Sequence, residues 1–209
     1  NTSAVNGGFD LSNGNAATWN ISKVPVRKLL YPNATTRVYA HFLPWSCMPG
    51  GVESDRVTRC NGHVVTGYNS NDVYVVGNQI NDMISRGADG VIVDYYRTAL
   101  EDQTTMKVRD EAEQHPNFEF AVMEDKENYR YAADPSAAEP EARAARAQKI
   151  VADVAYINST YFSSPAYMRR NGRPVLFVFQ DESTVNWTLV RDGVRALGNP
   201  LLIFRNDFD

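Results

Sequence analysis

"GADGVIVDYY", residues 87–96, sets an apolar run, Val91-Ile92-Val93, directly before an acid and two tyrosines. A run this short, bounded by glycine and polar residues, reads as a buried strand. Upstream of it Val73, Val76, Ile80, Met83 and Ile84 recur at helical spacing, with Asn71 or Asp72 at the cap and Gly87 as the stop. The stretch is therefore a strand entered from a helix, and it leaves the core on Asp94, Tyr95 and Tyr96.

The same order recurs along the chain. "RVYAHFLPW" (37–45) is a first strand broken by Pro44, and a long loop from Ser46 to Asn71 follows it. A polar helix from about Thr104 to Gln114 leads into "FEFAVMED" (118–125), an apolar strand ending on Glu124 and Asp125. A loop over "AADPSAAEP" precedes an alanine-rich helix carrying Ile150, Val151, Val154, Ala155 and Ile157. "RPVLFVFQD" ends on Gln180 and Asp181. A helix marked by Trp187, Val190, Val194 and Leu197 stops at Gly198, and "PLLIFRND" closes the series on Arg205, Asn206 and Asp207. Alternation of strand and helix predicts a parallel sheet covered by helices. In such sheets ligands gather at the carboxyl ends of the strands, where this chain places its polar residues.

Two architectures fit. One is the (β/α)8 barrel, an α/β fold of which five βα units are expected here, with strands near 38–43, 91–95, 118–123, 175–179 and 201–205. The other is a five-stranded doubly wound sheet. No Gly-rich phosphate loop follows the first strand, and Gly50-Gly51 does not make one, so a nucleotide-binding sheet is poorly supported and no cofactor is expected. Residues 1–36 read as a polar amino-terminal segment and 37–209 as the barrel-like domain.

Composition bounds the function. The chain has 209 residues, 43% hydrophobic and 22% charged, with a formal net charge of −4, an ordinary globular balance without the basic stripe of a nucleic-acid binder. No stretch is apolar enough to span a bilayer. Cys47 and Cys60 lie in the loop after the first strand; a disulfide is the favoured reading and two free thiols the other. His63 and His115 have no partners at metal-ligand spacing, so no metal is expected. Sequons at Asn1, Asn20, Asn33, Asn158 and Asn186 favour an extracellular, secreted protein. Glycans are expected on some of Asn20, Asn33, Asn158 and Asn186 if the source is eukaryotic or archaeal.

The blocks "VYAHFLPW", "GY" (67–68), "QINDMISRGADGVIVDYY", "FAVMEDK" and "YFSSPAYMRRNGRPVLFVF" (161–179), in this order and spacing, resemble glycoside hydrolase family 99 and family 71-like barrels. The resemblance covers roughly residues 37–206. It implies a secreted glycosidase, or a relative that handles α-linked polysaccharide such as mannan or glucan; the competing reading is a non-catalytic glycan-binding or structural, assembly-type protein on the same partial barrel scaffold. It also implies that the family's catalytic glutamates belong to later strands than those read here. The partners expected are thus an oligosaccharide or polysaccharide, and either another copy of the chain or a missing carboxyl-terminal half.

The strand ends supply the candidate site. Asp94 reads either as a structural acid or as a carboxylate holding a sugar's hydroxyls. Tyr95 or Tyr96 offers a ring to pack on a sugar; alternation sends one of the two the other way. Of the neighbours Glu124 and Asp125 one alone reaches the site, and Glu124 is paired with Asp94 as the catalytic candidate, since glycoside hydrolysis uses two carboxyl groups. Lys126 close by suits an ionised carboxylate. His41, Trp45, Tyr68 and Asp181 complete the substrate-binding set. "SAAEPEARAARA" (136–147) reads as a solvated helix start. The expectation is that Asp94, one tyrosine, Glu124 and His41 share one cleft.

Overall fold

A computed structural model describes residues 35–44, 70–179 and 182–205. Five strands, β1 (Tyr39–Phe42), β2 (Gly90–Tyr95), β3 (Glu119–Asp125), β5 (Arg173–Phe179) and β6 (Leu201–Arg205), run parallel in that order. A two-residue strand, β4 (Arg169–Arg170), turns back antiparallel onto the start of β5 and was not foreseen. The helices are α1 (Val73–Ser85), α2 (Ala99–Ala112), α3 (Lys126–Tyr129), α4 (Glu139–Thr160) and α5 (Trp187–Val194).

The strand order decides between the two architectures. Each new strand adds on the same side of the last, and crossovers between parallel strands are right-handed. Steady progress in one direction therefore puts every helix on one face, whereas a doubly wound sheet must reverse. The core shows this segregation. Val91, Val93 and Tyr95 of β2, Phe120 and Val122 of β3 and Leu176 of β5 pack with Val76 and Ile80 of α1, Val108 of α2, Ile150 and Val154 of α4 and Val190 of α5. The opposite parity, Ala121 and Val175 with Tyr39 and Phe177, forms a separate small cluster with Met168 and no helix residue. The sheet is singly wound, part of a (β/α)8 barrel: one face lies under helices and the other lines the lumen.

Local chemistry accounts for the elements. Asp72 caps α1 by accepting from the Tyr74 amide at 2.8 Å, and Gly87 with φ 90 turns the chain out of that helix, a conformation that suits glycine. Gly90 is required for a different reason: a Cβ there would sit 2.1 Å from the Glu119 carbonyl oxygen of the neighbouring strand. Helix α2 starts five residues before the expected Thr104, because Thr98 and Glu101 form a reciprocal capping box that satisfies its first amides. The start of α4 is not merely solvated. Ala142 and Ala147 are buried, while Arg143 and Arg146 donate to the carbonyls of Val185 and Thr184 at 3.3 and 2.9 Å, tying the turn before α5 to α4.

The amino-terminal end of the barrel carries its own polar cluster. Tyr39 donates to Glu119 at 2.6 Å, Arg170 donates to the Tyr39 oxygen at 2.6 Å, and Arg37 pairs with Glu119 at 2.8 Å. Burial pushes the Glu119 carboxyl up, but Tyr39 and the two arginines outweigh it and hold the group below its ordinary value. Polar clusters at this end of a barrel serve stability.

Asn186 shows how a sequon coexists with a cap. Its side-chain oxygen accepts from the Leu189 amide at 3.2 Å and starts α5, so a glycan on its nitrogen would leave the cap intact. Asn186→Ala is expected to lower stability by about 1 kcal/mol, the usual worth of a side-chain cap. Urea unfolding of unglycosylated protein measures it, and an unchanged midpoint would count against the cap. Asn158, by contrast, lies half-buried in the last turns of α4.

Candidate functional site at the strand ends

Register settles which acids can meet. Asp94 stands opposite Met123, and Tyr95 opposite Glu124. Across a parallel sheet, residues in register share a face. Asp94 and Met123 therefore line the lumen, with Asp125 two positions beyond Met123 on that same face. Tyr95 and Glu124 point into the helix layer. This corrects the expectation that Asp94 and Glu124 share one cleft: they sit at the same end of the sheet but on opposite faces.

On the lumen side, Asp94 is 4% exposed and its Oδ1 has no hydrogen-bond partner among the described residues. Its Oδ2 lies 3.6 Å from His41 Nε2, long for a hydrogen bond and within ion-pair range when the ring is protonated. Asp125 is also buried. Its Oδ1 caps α3 by accepting from the Glu127 amide at 2.8 Å, and the Tyr96 side chain hydrogen-bonds to it. Burial above all, and then the Asp94 charge, raise the Asp125 carboxyl above its ordinary value against the pull of those two bonds. His41, Asp94, Asp125 and Tyr96 thus converge, and they are drawn from three adjacent strand ends.

The two tyrosines divide. Tyr95 is fully buried on the helix side, its hydroxyl bonded to Asp102 of α2 and its ring edge-on to Tyr161 at 6.3 Å. Burial, with Tyr161 and Asp102 as further causes, pushes its hydroxyl far above the ordinary range. Tyr95 therefore belongs to the core and cannot pack on a ligand in the lumen. Tyr96, half-buried and bonded to Asp125, is the one on the lumen side.

Behind the sheet Glu124 joins a polar network that the sequence reading missed. It is fully buried, and Asn128 of α3 donates to its Oε1 at 2.7 Å. Asn128 also donates to Asp153 of α4 at 2.9 Å and accepts from Lys149 at 3.0 Å. Asp153, itself buried, binds Lys149 and takes Arg97 at 3.1 Å. Arg97, which follows the tyrosines, has φ 55, a left-handed conformation costing a side-chain-bearing residue about 1–2 kcal/mol. It is held there by Asp153, by Asp102 at 3.8 Å and by the Tyr156 ring 3.9 Å away. Asp153 is the hub that joins the exit of β2 to the exit of β3.

Two carboxyls in this network, Glu124 and Asp153, share the Asn128 amide as donor and repel each other when both are ionised. Burial first, then the Asp153 charge, raise the Glu124 carboxyl well above its ordinary value. Its Oε2 has no hydrogen-bond partner among the described residues, and a proton on Glu124 removes the repulsion between the two acids. The cation beside it is Lys149 of α4, not the expected Lys126, which opens α3 half-buried.

The remaining candidates, Trp45, Tyr68, Asp181, Cys47, Cys60, Asn20 and Asn33, lie outside the described residues. Among the described residues no group of three or more His, Cys, Asp or Glu is arranged to hold a metal ion, and no helix is long and apolar enough to cross a membrane.

Comparison with known proteins bears on the scaffold. No protein-family profile matches the chain, and no curated protein does. Among solved structures, the GH99 endo-alpha-mannosidase from Bacteroides thetaiotaomicron superposes with a TM-score of 0.55 at 17% identity, over 81% of this chain and 55% of that one. The same enzyme in complex with bis-tris-propane gives 0.58 at 18%, over 80% of this chain and 52% of that one. The fold is GH99-like. The chain spans about half the length of the structures it matches, as five βα units of an eight-unit barrel should. At this identity the likeness establishes the fold, and the chemistry of the site rests on the residues themselves.

Proposed function

We propose that this GH99-like barrel is a carbohydrate-active domain that binds an α-linked polysaccharide of mannan type along its lumen-side strand ends. The observation that carries the reading is Asp94: a buried carboxylate at the carboxyl end of a barrel strand, with one oxygen unpartnered among the described residues. An unmet acceptor in such a place costs stability, and ligand hydroxyls would meet it. His41, Asp125 and Tyr96 stand around it as further partners for a polyol. Asp125 is a hydroxyl acceptor here, since one of its oxygens is engaged in capping α3. An extracellular location belongs to the same proposal and rests on the sequons. The edges of β1 and β6, beside which Val38, Leu43 and Ile203 are exposed, support completion of the rim by further strands, from a longer chain or from a second copy.

Asp94→Asn tests the reading. The swap keeps the shape and removes a buried charge, so the melting temperature should hold or rise. Binding of α-linked manno-oligosaccharides should fall about 10- to 100-fold, since hydrogen bonds to a charged group are worth about 1.5–3 kcal/mol each. Isothermal titration reads the affinity. Unaltered binding would remove Asp94 from the site. Release of reducing ends from α-mannan would establish hydrolysis; binding without release would mark a glycan-binding scaffold.

A further inference from the structure

We propose that the cleft between the exit of α3 and the first turns of α4 is an outer subsite for the same sugar chain, with Tyr131 as its stacking platform. The inference rests on the carbohydrate reading above. The cleft, of about 350 Å³, is lined by Arg130, Tyr131, Asp134, Glu139, Ala142 and Arg146 among others, a volume at the small end of ligand pockets that suits the end of a glycan.

Its position follows from topology. Helix α3 is a single turn whose amino-terminal cap is Asp125 and whose carboxyl-terminal cap is Arg130. The cleft, lined by Arg130, therefore begins one short helix along the chain from Asp125, the last residue of β3. A glycan lying across Asp94 and Asp125 has a short path to it.

Its chemistry fits a neutral polyol. Tyr131 is 71% exposed, a large ring left in solvent. The Arg130 guanidinium lies over it at 4.3 Å and bonds its hydroxyl, so the ring is braced from one side and open on the other. Both arginines are already engaged: Arg130 pairs with Glu127 at 2.6 Å, and Arg146 donates to the Thr184 carbonyl at 2.9 Å. Asp134 and Glu139 add negative charge to the lining. The backbone and hydroxyl of Ser136 both donate to Asp134, at 2.8 and 2.6 Å, fixing that carboxylate in the loop and holding it below its ordinary value. A lining with engaged cations and a fixed carboxylate disfavours an anion and offers acceptors to hydroxyl groups, while the open ring packs on a sugar's C–H face.

The test is a length series of α-linked manno-oligosaccharides, from mannobiose upward, titrated against the whole protein. Wild-type affinity should rise with length. Tyr131→Ala should abolish that rise, a loss of about tenfold for the longest member, as one aromatic packing contact is worth. Tyr131→Phe, which keeps the ring, should retain it. If sugars bind through Asp94 but Tyr131→Ala leaves every length unchanged, the subsite is overturned and the carbohydrate reading stands. If no length binds wild type, both fall. Inorganic phosphate binding in the cleft while the sugars do not would overturn the subsite as well.

Discussion

Asp153→Ala is expected to lower stability by about 3 kcal/mol, the low end for breaking a buried ion pair, and so the melting temperature by about 6–12 °C for a chain of this size. Asp153 is 1% exposed at its side chain and joins Arg97, Lys149 and Asn128. Removing it takes the nearest carboxylate from two cations, leaving Arg97 to Asp102 at 3.8 Å and Lys149 to the Asn128 oxygen at 3.0 Å. The cost sits at the low end because Arg97 and Lys149 each keep 33% exposure and can turn toward water. Arg97 would also lose a support for its left-handed backbone, next to Tyr96. The variant should therefore weaken sugar binding at temperatures where it is still folded, through displaced Asp94 and Tyr96. Thermal and urea unfolding measure the first effect and titration below the transition the second. A loss under 1 kcal/mol would show that the network does not hold the strand ends together.

Glu124→Gln is expected to stabilise the fold increasingly as pH rises. The folded-state pKa of Glu124 is raised above its ordinary value of 4.5. A proton held more tightly in the folded state favours folding below the unfolded pKa, and that contribution disappears as pH climbs to the folded value. Over that window each pH unit costs about 1.4 kcal/mol. Glutamine cannot lose a proton; it keeps an oxygen for Asn128 and offers an amide to Asp153. The two proteins should melt alike near pH 4.5, with the variant higher at pH 7 to 8. Sugar binding should be unchanged, because Glu124 faces the helices. A stability gap independent of pH would refute the raised Glu124 carboxyl. Lost binding at unchanged stability would instead return Glu124 to the site.

How much of this was legible differs by level. Helix α1 and its Gly87 stop could be read off the chain, with its cap narrowed to Asn71 or Asp72, as could all five parallel strands, because short apolar runs between helical repeats have one economical arrangement. The capping box at Thr98 and Glu101 was also in the sequence and was overlooked, which displaced the start of α2. The face of each strand-end residue was not legible. In "FEFAVMED" both parities are apolar, since β3 is buried on both sides, and alternation loses its contrast. Choosing between Glu124 and Asp125 thus needed the register with β2, which no local pattern carries.

The sequence by itself determined a parallel α/β chain with polar residues gathered at one end of its strands, because apolar periodicity and turn residues are local properties. Only the tertiary structure decided that the sheet winds in one direction, since strand order depends on which edge each crossover reaches. It alone separated Asp94, Asp125 and Tyr96 on the lumen side from Glu124 and Tyr95 behind them, since one step of register exchanges the faces. And it alone revealed Asp153 as the hub of the strand-end network: Lys149 lies one turn before it on the same helix, but Arg97 and Asn128 lie on other segments, and only packing brings those two to its carboxylate.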